Sequence, residues 1–491
     1  MTAMSTHTEG TQAPDLQSVK FSRLSRRGVL LGLSLSQLVI AGVGAVVLVF
    51  GLYSGGSAAL LIVAPVILGC TILAFVGVGG RKVIEWAPVT AVWLWRASGG
   101  QLVFRRRIVR PRPAGTLSLP GDAARLRQWV DPESGAVMVH DPHAGTVTAV
   151  VAVTHPAFIL LDPAEQNRRV TSWGRVLATA CRSGRIAALQ VSERTLPDSG
   201  RGLSDWWTQH GQRDGSWTST IYEELIDRAG PAGERHASTV SLSIDLKTSA
   251  RAIRAAGGGN RGAAAVLRQE MSTLTSALRS ADLSPTDWLG PGDLAVILRS
   301  AYDPGVAAAL ERHGELGRDL ATAGPVAVSE DWSSLRSDSA HHCVLWISEW
   351  PRSLVYPGFL APILLSSGIR RTFTLLYTPM RTDQAARDIR RKKTEYISDA
   401  AQRQRIGQIE DAQQHAEYQD VLQQEADLTA GHGVLRLTGL IVVSAPDPDE
   451  LERAVADIEQ SAIQASCETR RLWGQQARAF SSAALPLCRP V

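Results

Sequence analysis

From Gly28 to Gly80 the chain carries no charged residue. Val29–Leu52 and Ser57–Val78 within this stretch are each long enough to cross a bilayer core, which takes about 20 apolar residues as a helix. A helix also satisfies its own backbone there. The link Tyr53–Gly56 has room only for a hairpin. Both segments are apolar all round, which argues against a buried hairpin in a soluble protein. The expectation is a two-helix transmembrane hairpin over residues 29–80.

The flanks set its direction. Lys20, Arg23, Arg26 and Arg27 precede the first span. Arg81, Lys82, Arg96, Arg105, Arg106 and Arg107 follow the second, against the single acid Glu85. Positive charge stays cytoplasmic, so both termini are expected inside a cell membrane. Ser25-Arg26-Arg27-Gly28-Val29-Leu30 also has the pattern of a twin-arginine export signal. The apolar run is longer than a signal core, and a second span follows at once, which favours the anchor. Trp86, Trp93 and Trp95 suit a headgroup layer, or equally the core of the next domain.

The remaining chain is not strongly biased. Net charge is +4, too small for a general nucleic-acid binder. Five scattered cysteines without CxxC spacing give no disulfide or metal framework. No Gly-Lys pair occurs, so the phosphate loop G-x-x-x-x-G-K-[ST] is absent. Gly257-Gly258-Gly259-Asn260-Arg261-Gly262 lacks the lysine and reads as a loop. His341-His342-Cys343 alternates faces on a strand and cannot converge on one ion. Neither G-x-S-x-G nor H-E-x-x-H occurs. No catalytic, metal or cofactor-binding residue is assigned. Trp206, Trp207 and Trp217 read as core or as interface anchors.

Organisation follows from pattern. Residues 1–28 form a polar, disordered tail with a basic end, and 81–114 a Trp/Arg-rich juxtamembrane segment. An α+β cytoplasmic body is expected over 115–380. A strand, a helix and a returning strand recur at 146–191, 240–290 and 434–472, which suggests ferredoxin-like split β-α-β units. Residues 381–430 read as a long charged helix or helical hairpin. Arg390, Arg391, Lys392 and Lys393 lie in its basic half and Glu425 in its acidic half. The halves are expected to pair with each other or with a neighbouring subunit, and direct DNA contact is the alternative. Gly431-His432-Gly433 ends this segment, and 431–491 forms a C-terminal β-α-β unit.

The stretch from Glu425 through Phe480, Ala484, Leu485 and Pro486 resembles the end of the N-terminal domain of the conjugal-transfer ATPases of type IV secretion systems. The hairpin with its Trp-rich sequel resembles the small PrgI-type membrane subunits. The resemblance implies an actinobacterial-type fusion of such a subunit to the non-motor half of the ATPase. It implies a non-catalytic scaffold, an oligomer, that docks a separate P-loop ATPase at the membrane. The docking surface would include residues 390–393, Glu425, Gly431–Gly433, Phe480 and Pro486. The rival expectation is a membrane-anchored enzyme with an unfamiliar site within 115–380.

Overall fold

The computed structural model describes residues 35–78, 81–107, 109, 113–155, 157–212, 214–229, 233–314, 317–406, 412–430 and 433–490. Arg26, Arg27, Gly431 and His432 lie outside the described residues.

Helix α1 (Leu35–Phe75) holds the apolar stretch. Ser36–Ser54 is long and apolar enough to cross a membrane, and Val63–Phe75 is a shorter apolar stretch. The Gln37 side-chain amide donates to the Ala74 carbonyl at 2.6 Å. A straight helix would separate these residues by about 55 Å. A Cβ on Gly51 would lie 2.7 Å from Val63, and one on Gly44 would lie 3.3 Å from Cys70. The two ends of α1 therefore lie side by side, with small residues at the contact. A short ribbon, β1 (Gly77–Val78) and β2 (Arg81–Lys82), leads into α2 (Val83–Ser98).

The body is built on one large sheet. Its strands are β3 (Val103–Arg105), β4 (Arg127–Val130), β5 (Val137–Asp141), β6 (Thr146–Thr154), β7 (Ile186–Pro197), β8 (Glu234–Asp245) and β9 (Ser284–Trp288). They continue with β10 (Ala327–Glu330), β11 (Leu335–Ser337), β12 (Ala340–Glu349), β13 (Arg370–Met380), β14 (Val434–Ala445) and β15 (Glu468–Arg471). The order is β3-β10-β11-β12-β14-β13-β7-β8-β6-β5-β4, with β15 beside β12 and β9 beside β6. Every pairing is antiparallel. No break falls at residue 380 or 430, because β14 lies between β12 and β13. The expected separate unit at 431–491 is thus woven into the body.

The helices are α3 (Pro163–Ser183), α4 (Arg201–His210), α5 (Trp217–Ala229), α6 (Ala250–Ala255), α7 (Gly259–Ser280), α8 (Pro291–Tyr302) and α9 (Ala307–Arg312). After them come α10 (Ala361–Leu364), α11 (Thr382–Ile406), α12 (Ala412–Thr429), α13 (Pro448–Gln464) and α14 (Gln476–Ala483). Local chemistry sets their ends. Asp162 and Asp447 cap α3 and α13 by accepting the N–H of Glu165 at 2.9 Å and of Glu450 at 2.8 Å. A proline follows each cap at the first helical position, and Gly184 ends α3 at φ +63°.

One sheet face carries α3 and α7 over β6 and β8, and α13 over β12 and β14, as two separate apolar cores. A further core, shared by both halves, joins α8 and α14 to residues 117–126, β12 and β14. The chain after α14 crosses this region as a buried strap, Ala484–Arg489. Side chains of three strands, β13, β8 and β7, hold the backbone here. Thr374 donates to the Ala483 carbonyl at 2.7 Å and Ser241 to Pro486 at 2.8 Å. Gln190 donates to Leu485 at 3.0 Å and accepts the Cys488 N–H at 2.6 Å. Arg489 reaches Asp141 at 3.2 Å, and both are buried. Polar groups taken from water need such partners.

Arg489→Ala strands the buried Asp141 carboxylate. It is expected to lower stability by about 3 kcal/mol in chemical denaturation, whereas Arg391→Ala on the surface changes it by less than about 0.5 kcal/mol.

Candidate functional site

The junction of α2 with the body is the first candidate. Trp86 and Trp93 stand seven residues apart, on one helical face. Both rings meet Trp332 in the β10–β11 turn, with centroids 6.1 and 5.3 Å away. Gly474 packs behind Trp332, where a Cβ would come within 2.5 Å of the ring. The Gly474 N–H also donates to the Trp332 carbonyl at 2.8 Å. Arg96, one turn further along α2, forms an ion pair with Glu330. The other Glu330 oxygen accepts the Ala477 N–H at 3.1 Å, in the first turn of α14. One buried carboxylate therefore ties α2 to α14. Next in the chain, β3 pairs with β10 and extends the sheet. Trp86 and Trp93 thus belong to a packed junction, while Trp95 is 69 % exposed. Lys82 donates to the Phe75 carbonyl at 3.2 Å, a cation at a helix C-terminus. Arg81 pairs through its backbone with Val78.

The charged segment is a helical hairpin. Tyr396 of α11 stacks on Tyr418 of α12, with centroids 4.2 Å apart. Lys393 reaches Glu425 across the hairpin at 2.7 Å. Arg391 pairs with Glu395 and Lys392 with Asp388 along α11, and Arg390 is exposed. Much of the basic run is thus compensated within the hairpin. Gly433 packs on Cys181, whose Sγ a Cβ would approach to 2.6 Å.

Phe480 and Pro486, expected on a docking surface, are interior. Phe480 is 1 % exposed and lies against the rings of Tyr302 and His342. Pro486 belongs to the buried strap. The apolar spacing that carries the resemblance here serves the core.

Within the body, exposed apolar side chains gather on α4 and α5. Trp217 is 79 % exposed, and Leu203, Trp206, Tyr222 and Leu225 are about half exposed. Trp206 stacks on His210 and Trp207 on Tyr222. Glu223 and Asp227 are exposed beside it, while Glu224 pairs with Arg228. The core reading of Trp206 and Trp217 does not hold. Strands alternate in direction, so α4 and α5, between β7 and β8, leave the sheet at the end opposite Trp332. A contiguous patch of this kind marks an interaction site.

Buried ionisable groups have structural partners. Burial pushes His342 down to about 4. It is held by Ser337 at 2.7 Å, Ser444 at 2.8 Å and the Tyr302 carbonyl at 3.1 Å. Cys343 faces the opposite core and is pushed up to about 12 by burial. Gly257, Gly258 and Gly259 take positive φ and open α7. This turn borders a cavity of about 320 Å³ lined by Trp129, His140, Ile253, Arg254 and Asn260. Among the described residues no His, Cys, Asp or Glu cluster suits a metal ion. Nothing in the sequence marked Glu330, Trp332 or the strap contacts, because their partners lie far away in the chain. No protein-family model matches the chain, and no curated protein matches it.

Trp332→Ala removes the ring on which α2 rests. We expect destabilisation of about 3 kcal/mol and faster tryptic cleavage at Arg105–Arg107, scored by timed proteolysis. His342 supplies a pH test. Its folded pKa lies below the unfolded one, so the unfolded state takes up the proton first. Stability should fall by up to about 3 kcal/mol as pH drops from about 6.5 to 4. Urea midpoints of His342→Asn should lose most of that slope.

Proposed function

We propose that the chain is a membrane-anchored, non-catalytic scaffold of a type IV secretion-like or conjugative apparatus, docking a separate P-loop ATPase. The observation that carries the anchor is the outer surface of α1. Val46, Val49 and Phe50 are each about two-thirds exposed, no charge interrupts the helix, and its ends meet at Gln37 and Ala74. Water would not tolerate so much apolar surface, whereas a bilayer requires it. We read α1 as a two-span hairpin whose small residues allow close approach. Basic flanks then place both termini and the body in the cytoplasm. The body is read as two ferredoxin-like units, and the secretion role rests on the resemblance of the C-terminal stretch and the hairpin.

We move the proposed docking surface. Phe480 and Pro486 are interior, and Arg391, Lys392 and Lys393 of α11 are paired in cis. The α4–α5 patch remains, at the sheet end away from the α2 junction. Glu223 and Asp227 beside it favour a basic group on the partner. Compensation of the basic run also weakens the reading of direct DNA contact. The enzyme reading retains the cavity near Arg254 and Asn260, whose lining is mainly apolar.

The test is affinity capture of detergent-solubilised tagged protein from its native host, beside a Trp206→Ser/Trp217→Ser/Leu225→Ser variant. The expected result is co-elution of a P-loop ATPase with the unaltered protein and its loss from the variant, with both proteins in the membrane fraction. An ATPase retained by the variant would place docking elsewhere. Absence of any ATPase from both would overturn the secretion reading.

A further inference from the structure

The sheet reads as a palindrome. At one level its residues run Ala152, Thr239, Ser192, Thr374, Leu440 and Trp346. The elements repeat in the same order on either side of the middle. One half runs β4, β5, β6, α3, β7, a helical pair, β8, α7, β9 and α8, with the short α6 inserted before α7. The other runs β10, β11, β12, α10, β13, a helical pair, β14, α13, β15 and α14. Ser192 and Thr374 occupy equivalent places and face each other, with hydroxyls 2.9 Å apart. They mark an approximate twofold axis.

Side-chain detail follows this axis. Thr148 bonds Ser243 at 3.0 Å in one half, and His342 bonds Ser444 at 2.8 Å in the other. The segment after the last strand of each half crosses to the opposite half. Tyr302, ending α8, offers its carbonyl to His342 at 3.1 Å. Leu487, after α14, offers its carbonyl to Thr148 at 3.4 Å. Arg299 of α8 reaches Asp338, in the turn before β12, at 2.6 Å. Arg489 reaches Asp141, before β6, at 3.2 Å. These two crossings mirror one another.

We propose that the chain is a fused pseudo-dimer. Two copies of one β-α-β-β-α-β unit share a polypeptide and exchange the segment that follows each unit. Neither half opens without the other, because each holds part of its neighbour's cover. Departures from the symmetry mark specialisation. Gln128 and Glu330 are equivalent, and their N–H groups reach Gly115 at 2.6 Å and Leu102 at 2.9 Å. Only Glu330 is charged, and only its half receives α2. This inference does not depend on the secretion reading.

The experiment is native-state hydrogen exchange by mass spectrometry on the full chain in detergent, with and without Leu267→Ala. Leu267 is fully buried on α7, in the first half. If the halves are interlocked, slow amides in β8 and β14 speed up by the same factor, within threefold. A tenfold or greater loss of protection confined to β8 would overturn the proposal. Should Leu267→Ala not fold, the milder Ile458→Val on α13 tests the second half. Protection must then fall in β8 as well as β14, and an unchanged β8 overturns the proposal.

Discussion

The antiparallel pairing of β7 with β13 is the contact on which the rest of the body depends. Six residues of each strand pair directly, from Leu189 with Tyr377 to Thr372 with Arg194. Without this seam the sheet would fall into two smaller ones, each with a long open edge. The seam also places Gln190, Ser192 and Thr374 in one buried polar row. That row is buried, and it takes the carbonyls of Ala483 and Leu485 as partners. A buried polar network of this kind is costly unless every member is satisfied. The strap satisfies it, and in doing so it closes the core from the C-terminal side.

The N-terminal helices attach at the far edge of the same sheet. Helix α2 adds two tryptophans to Trp332, and β3 adds a strand beside β10. The joint is therefore both apolar and hydrogen-bonded. Glu330 sits at its centre, with Arg96 on one side and α14 on the other. A force on α1 would reach the sheet through these few groups. The helical inserts leave the sheet at opposite ends, since β7 and β13 run in opposite directions. One insert, α11–α12, is polar and internally paired. The other, α4–α5, keeps its aromatic surface outward.

Much of the body was legible in the sequence. Period-two and helical patterns placed elements at 146–191, 240–290 and 434–472, where β6-α3-β7, β8-α7-β9 and β14-α13-β15 occur. The caps at Asp162 and Asp447 are local features, each an Asp followed by Pro at a helix start. The joining of these units was not legible. Ser192 and Thr374 look like ordinary strand residues, and their pairing depends on register between segments distant in sequence. Burial was misread for the same reason. Phe480 and Pro486 look available until the strap is seen crossing the sheet. Trp206 and Trp217 look like core until α4 and α5 are seen standing apart from it. The uncharged stretch at 28–80 gave apolarity and length, while the contact of Gln37 with Ala74 needed the structure.

The most direct measurement of the central claim is disulfide formation across the seam. A Ser192→Cys/Thr374→Cys protein, in a background without native cysteines, would be oxidised in the folded state. The account predicts an intramolecular cross-link, seen as a reducible mobility shift, as efficient as that of a Thr148→Cys/Ser243→Cys control pair. Efficient cross-linking of the control with none between positions 192 and 374 would contradict the continuous sheet.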